Sequence, residues 1–232
     1  MTDRGQELAS SLERLEQRLT FACAEAGRSR DEVTLIAVTK TFPANDIRHL
    51  VRLGVNHIGE NRDQEASAKV EELGDLGIKW HFVGQLQSNK CRSIARYADV
   101  VHAVDRERVI SALAEGAHEA ERTLDALVQV SLDDTPGRGG AAAAAVPALA
   151  AQIAAATNVR IRGVMAIAPL GGDASLAFAR LAGVAAEVRS VHPEATVISA
   201  GMSGDLEAAI QAGATHVRVG TALLGVRSPP VR

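Results

Sequence analysis

The leucines of the first segment, Leu8, Leu12, Leu15 and Leu19, recur at spacings of four, three and four, with charged residues between them. That period sets them on one face and predicts an amphipathic helix over Asp3–Ala26, stopped by Gly27. Beyond Gly27 the rhythm changes, and short apolar runs alternate with helical stretches. The strands predicted are Val33–Val38, Val55–Ile58, Lys79–Val83, Val100–Val104, Leu124–Val130, Val159–Ala166, Thr196–Ser199 and His216–Val219. The helices between them are Asn45–Leu53, Asp63–Leu73, Ser88–Tyr97, Arg106–Glu121, Ala141–Ala156, Ser175–Val191 and Asp205–Ala212. Helix, glycine and apolar strand follow one another at Leu53-Gly54-Val55 and again at Ala212-Gly213-Ala214. Glycine accepts the left-handed conformation that ends the helix there.

Alternating strands and helices imply a parallel sheet. Eight strands in 232 residues predict an α/β fold, a single (β/α)8 TIM barrel with an extra N-terminal helix. An open dinucleotide-binding sheet would want G-x-G-x-x-G after its first strand. Here that strand runs into Thr39-Lys40-Thr41-Phe42-Pro43, which contains no glycine. The expected division is residues 1–27 as a helix packing on the barrel, 28–227 as the barrel and 228–232 as a loose tail.

Composition narrows the function classes. The chain is 47% hydrophobic and 23% charged, enough for a sizeable core. Aromatics are only 3%, with one Tyr, so stacking platforms for single-stranded nucleic acid are not expected. The net charge of −3 provides no basic field for a polyanion. Met1–Arg18 lacks an apolar signal core, and Pro147 and Gln152 interrupt the apolar run Ala141–Ala156, so no membrane partner is expected. Cys23 and Cys91 lack metal-ligand spacing and read as reduced thiols of a cytoplasmic protein. No metal site is expected, and a monomer is the default in the absence of a large aromatic patch.

In such barrels the chemistry lies at the carboxyl ends of the strands. Lys40 follows the apolar run Leu35-Ile36-Ala37-Val38, and partial burial there would turn its amine into a nucleophile able to form a Schiff base. A lysine that only snorkels to the rim fits the same position, and position alone favours that reading. The loops after strands 7 and 8 change the balance. They read Ser199-Ala200-Gly201-Met202-Ser203-Gly204-Asp205 and Gly220-Thr221-Ala222-Leu223-Leu224-Gly225, and phosphate sites of this fold use those two loops. Ser203 is expected as an N-cap whose hydroxyl reaches the anion, with Thr221 donating from the other loop and Asp205 pointing away. Arg218 lies within strand 8 while Val217 and Val219 face the other way. Its buried guanidinium requires an acceptor, either a carboxylate or a ligand heteroatom. An amine, a phosphate cradle of Ser203, Gly204, Gly220 and Thr221, and an arginine at a ring nitrogen together describe pyridoxal 5′-phosphate (PLP).

Six runs carry a further likeness. They are Ala37–Thr41, His57–Arg62, Trp80–Lys90, Arg162–Pro169, Gly201–Asp205 and Val217–Thr221. In this order, over nearly the whole chain, they resemble the pyridoxal phosphate homeostasis protein family. The resemblance implies a barrel like the N-terminal domain of alanine racemase, with PLP covalent on Lys40 as an internal aldimine. It implies cofactor positions at Lys40, Asn61, Ser203, Arg218, Gly220 and Thr221, and Met202 and Gly204 of the loop after strand 7 complete the expected cofactor set. It also implies a carrier or buffer of PLP, with PLP-requiring apo-enzymes as recipients. Arg138, in the loop Asp133–Gly140, stands where relatives usually have lysine.

The enzyme alternative is an amino-acid racemase, which needs a second base opposite the lysine. In alanine racemases a tyrosine from a further β-domain serves. Here the chain ends seven residues after Gly225, and Tyr97 is expected at the amino end of the barrel, away from the chemistry. An arginine at the ring nitrogen also weakens PLP as an electron sink. A barrel binding another phosphorylated metabolite without a covalent bond is the third reading.

Overall fold

The computed structural model describes residues 3–133 and 139–226. Eight parallel strands close into a barrel in sequence order: β1 (Thr34–Val38), β2 (His57–Glu60), β3 (Lys79–Phe82), β4 (Val100–Val104), β5 (Leu124–Gln129), β6 (Val159–Met165), β7 (Val197–Ser199) and β8 (His216–Val219). Helix α1 (Asp3–Glu25) precedes them. Between strands run α2 (Ala44–Arg52), α3 (Asp63–Leu73), α4 (Cys91–Ala95), α5 (Glu107–Glu119), α6 (Val146–Ala155), α7 (Ala174–Val191) and α8 (Leu206–Gln211). A short α9 (Thr221–Leu224), which the sequence pattern did not suggest, follows β8. The tail 228–232 and Arg138 lie outside the described residues.

Most element boundaries shift by a residue or two from expectation, and three of the shifts change the element itself. Strand β2 starts later than Val55 and runs through Glu60, so Glu60 belongs to the wall and not to the following loop. The stretch Ser88–Tyr97 splits into a 3-10 turn, Ser88–Lys90, and the single α-turn of α4. The alanine run also begins late: Ala141 bridges Val130, a 3-10 turn spans Ala143–Ala145, and α6 starts with Pro147 in its first turn. Proline is well placed there because the first-turn N–H groups have no helical acceptor.

Leu8, Leu15 and Leu19 of α1 are buried as their spacing predicts. Helix α1 lies over α8, α9 and α2. Arginines tie it down: Arg4 of the helix donates to Asp46 Oδ2 (2.7 Å) and Leu224 O (3.0 Å), and Arg28, just beyond its end, donates to Ala214 O (2.7 Å).

Two layers result from alternation along the strands. Leu35, Ala37, Ile58, Trp80, Phe82, Val217 and Val219 face the helices and join the main apolar core. The barrel interior is different. The register sets Arg218 beside Ile36, Gly59 beside Val38 and His81 beside Gly59, so these share the inward face. Branched apolar residues usually fill this space. Here His57, His81, His102, Ser199, His216 and Arg218 take much of it. Gly59 makes room, since a Cβ there would stand 3.1 Å from Ile36 Cγ2. In β6, Gly163 adopts φ +145°, and a Cβ would meet Val197 O at 1.9 Å, so only glycine lets β7 close up. The seam between β7 and β8 is short, with the single pair Ser199↔His216.

Candidate functional site

All eight expected site residues lie at the carboxyl ends of four neighbouring strands, β7, β8, β1 and β2. Closure brings Gly220 against β1: a Cβ on it would lie 3.3 Å from Val38 O. Lys40 shares its parity with Ile36 and Val38 and rises from the mouth. It is exposed, which corrects the expected partial burial. Strand β1 ends at Val38, and the turn that follows carries the lysine stem beyond the wall. Its Nζ has no hydrogen-bond or ion-pair partner among the described residues.

The turn beneath Lys40 is held from below. Lys69 Nζ, buried, donates to Thr39 O (2.9 Å), Glu60 Oε1 (2.6 Å) and Glu65 Oε1 (2.8 Å). Thr39 Oγ1 donates to the same Glu60 oxygen (2.6 Å), and the Thr41 N–H donates to Glu65 Oε1. Thr41 has φ +68°, a costly conformation for a β-branched residue. One ammonium thus braces both sides of Lys40. Burial pushes the Glu60 carboxyl above its usual value, opposed by Lys69 and Thr39.

The loops after β7 and β8 grip each other. Ser203 does not cap α8: Asp205 occupies the N-cap, and Ser203 Oγ accepts from the Ala222 N–H (3.2 Å) in α9. The Asp205 carboxylate is not idle either, since Oδ1 accepts from the Met202 N–H (2.6 Å) and folds the loop back. Arg18 of α1 donates to Ser203 O (2.7 Å) and pairs with Glu207. The N–H groups of Ser203, Gly204, Gly220 and Thr221 find no acceptor among the described residues. Four free backbone donors at two adjoining loops suit an anion. Gly204 has open space around it, and Met202 is half-exposed beside it.

Arg218 is buried, and its acceptors are neither a carboxylate nor free. Nη1 donates to Ser199 O (2.8 Å) and Ser199 Oγ (2.7 Å), and Nη2 to Ala166 O (2.9 Å). Burial lowers its pKa to about 10, leaving it cationic at neutral pH. Asn61 follows β2, pressed against β3, where a Cβ on Gly84 would stand 2.2 Å from Asn61 O. Asn61 Oδ1 is buried and has no hydrogen-bond partner among the described residues, so it can still accept from a donor.

Tyr97 also departs from expectation. Its ring is buried, yet its hydroxyl lies 3.5 Å from Asp63 Oδ1, near the carboxyl end of β2. Burial, then Asp63 and Glu60, push the phenol far up, so it stays protonated. Lys69, Ser199 and the interior histidines were not among the expected site residues. Lys69 carried one signal, its i, i+4 spacing from Glu65. The histidines carried another, since His57, His81, His102 and His216 each sit in a strand.

The alanine racemase N-terminal domain model matches residues 11–228. A pyridoxal phosphate homeostasis protein of Mycobacterium tuberculosis is 43% identical over 97% of this chain and 95% of its own. Among solved structures, an unknown protein from Bifidobacterium adolescentis superposes with a TM-score of 0.91 at 29% identity, covering 96% of this chain and 97% of that one. PipY of Synechococcus elongatus, solved with PLP bound, gives 0.83 at 38% identity over 94% of this chain and 100% of its own.

Proposed function

Because the chain belongs to the pyridoxal phosphate homeostasis protein family, we propose that it holds PLP at the mouth described above and delivers it within the cell. The observation that carries this is the set of unmet groups on β7, β8, β1 and β2: four backbone donors, the orphaned Asn61 Oδ1 and the unpaired Lys40 amine. They fit one compact anion linked to an electrophile and a polar ring.

In this reading Lys40 is the covalent anchor. Ser203, Gly204, Gly220 and Thr221 hold the phosphate, with Met202 at the rim and Asn61 and Arg218 beside the ring. When bound, PLP supplies an aldehyde for reversible attachment and a ring that draws electrons. The protein restrains the second property. Arg218, fixed as a cation by three acceptors, opposes protonation of a nitrogen facing it. Tyr97, buried and protonated, offers no second base. What remains is binding and release. The exposed position of Lys40 favours exchange with solvent, and the recipients are PLP-requiring apo-enzymes. The chain acts as a monomer in the cytoplasm.

The test begins with PLP added to the purified protein. A yellow chromophore, fixed by borohydride to Lys40 in peptide mapping and lost in Lys40→Ala, is the expected result. A chromophore retained by Lys40→Ala overturns the anchor. PLP transfer to an apo-enzyme that survives a trap for free PLP marks direct hand-over. Racemisation of L-alanine at the rate of a dedicated racemase would overturn the holding role.

A further inference from the structure

Three histidines cross the barrel interior in a hydrogen-bonded column that ends on Arg218. His57 Nδ1 and His81 Nε2 are 2.9 Å apart, as are His81 Nδ1 and His102 Nε2, and His102 Nδ1 lies 3.0 Å from Ser199 Oγ. That hydroxyl in turn accepts from Arg218 Nη1 (2.7 Å). His57 opens the column half-buried at the amino end, and His81, His102 and Ser199 are sealed.

Counting donors fixes the direction of the column. Ser199 Oγ has two partners, Arg218 and His102. Arg218 can only donate. If His102 also donated, the Ser199 proton would be left without an acceptor at a fully buried site, which is costly. The hydroxyl therefore donates to His102 Nδ1. The His102 proton then sits on Nε2 and is donated to His81 Nδ1, and His81 Nε2 donates to His57 Nδ1. All three rings are neutral Nε2–H tautomers, and every dipole turns its negative end toward Arg218.

We propose that His57, His81 and His102 are positioning residues for the cofactor mouth, orienting the Ser199 hydroxyl as the acceptor that aims the Arg218 guanidinium. Only the last step rests on the PLP reading above. The surroundings agree with neutral rings. Burial holds all three histidines below their usual value, helped at His57 by Lys79 and at His102 by Arg218. His216 stands beside the column, its ring 6.3 Å from that of His81, and adds no bond to it. Asp99 acts on His57 in the opposite sense, as the weakest of the influences there.

Long-range proton–nitrogen NMR of the histidine rings at neutral pH tests the direction without any cofactor. Three neutral rings protonated at Nε2 are expected. An Nδ1–H tautomer or an imidazolium at His81 or His102 overturns the proposal. The second measurement compares His102→Leu with His102→Gln in the PLP-loaded protein. A glutamine can accept from Ser199 and donate to His81, whereas leucine can do neither. His102→Leu should displace the chromophore band and weaken PLP about tenfold, one lost hydrogen bond's worth of affinity. His102→Gln should restore both, to within roughly twofold. A column that merely fills the core would lower the melting temperature and leave band and affinity unmoved, and that result refutes the positioning role. Should His102→Leu fail to fold, the wild-type tautomers decide. Should the wild-type protein not take up PLP, the functional reading fails while the tautomer result still judges the column.

Discussion

Replacing Lys69 by methionine tests whether the bracing beneath Lys40 is electrostatic. The side chain of Lys69 is 8% exposed and donates to three acceptors, one of them the 1%-exposed carboxylate of Glu60. Methionine keeps the apolar stem and removes the charge. Glu60 would retain only Thr39 Oγ1, because its second oxygen already lacks a partner. Breaking a buried pair on one side costs about 3–5 kcal/mol. For a domain of this size that is a fall in Tm of roughly 6–20 °C.

The loss must depend on pH. Burial already raises the folded Glu60 pKa above 4.5, and removing Lys69 raises it further. A carboxyl raised in the folded state keeps its full contribution below the unfolded pKa and loses it as pH climbs through the folded one. Lys69→Met should therefore lie closest to wild type in acid and furthest from it in mild alkali. Urea unfolding on both sides of neutrality measures the gap. Lys69→Met combined with Glu60→Gln should recover more than half of the deficit. A loss below about 1 kcal/mol, or one independent of pH, would show that Lys69 acts by packing alone and refute the electrostatic account.

Further outcomes follow from the same geometry. Lys40→Ala should change unfolding free energy by less than about 0.5 kcal/mol, because the exposed amine has no partner to lose. Gly163→Ala should cost about 3 kcal/mol or more, or prevent folding, whereas Gly204→Ala, with open space and no positive φ, should leave the melting temperature unchanged in calorimetry. Arg218→Met should cost about 3 kcal/mol in urea unfolding, since Ser199 Oγ and Ala166 O lose their donor. Acid should destabilise the fold below pH 6.5. His216 is held down to about 4 by burial, then by His57 and Lys79, so between those values the unfolded chain binds protons that the fold refuses. His216→Gln should flatten the acid limb of a stability–pH curve.

The barrel was legible in the chain, and so was a proposed set of cofactor positions at its mouth. Short apolar runs between helical stretches marked every strand, and the glycine-rich loops of strands 7 and 8 pointed to an anion cradle. Those signals are local: alternation, caps and turn glycines act over a few residues. Where local signals conflicted, boundaries slipped, as at β2, where Val55 is apolar but the pairing with β3 begins at His57. The remaining features depend on which side chains meet across the closed sheet. Closure set Ser203 Oγ against α9 and not on its own helix, delivered Lys69 beneath Lys40, and left Lys40 exposed. It also aligned histidines from β2, β3 and β4 with Ser199 of β7 and Arg218 of β8, residues up to 161 positions apart in the 232-residue chain. Each is an ordinary inward-facing residue in its own strand. The column and its direction exist only because the barrel brings the donors within 3.0 Å of one another and excludes water from between them.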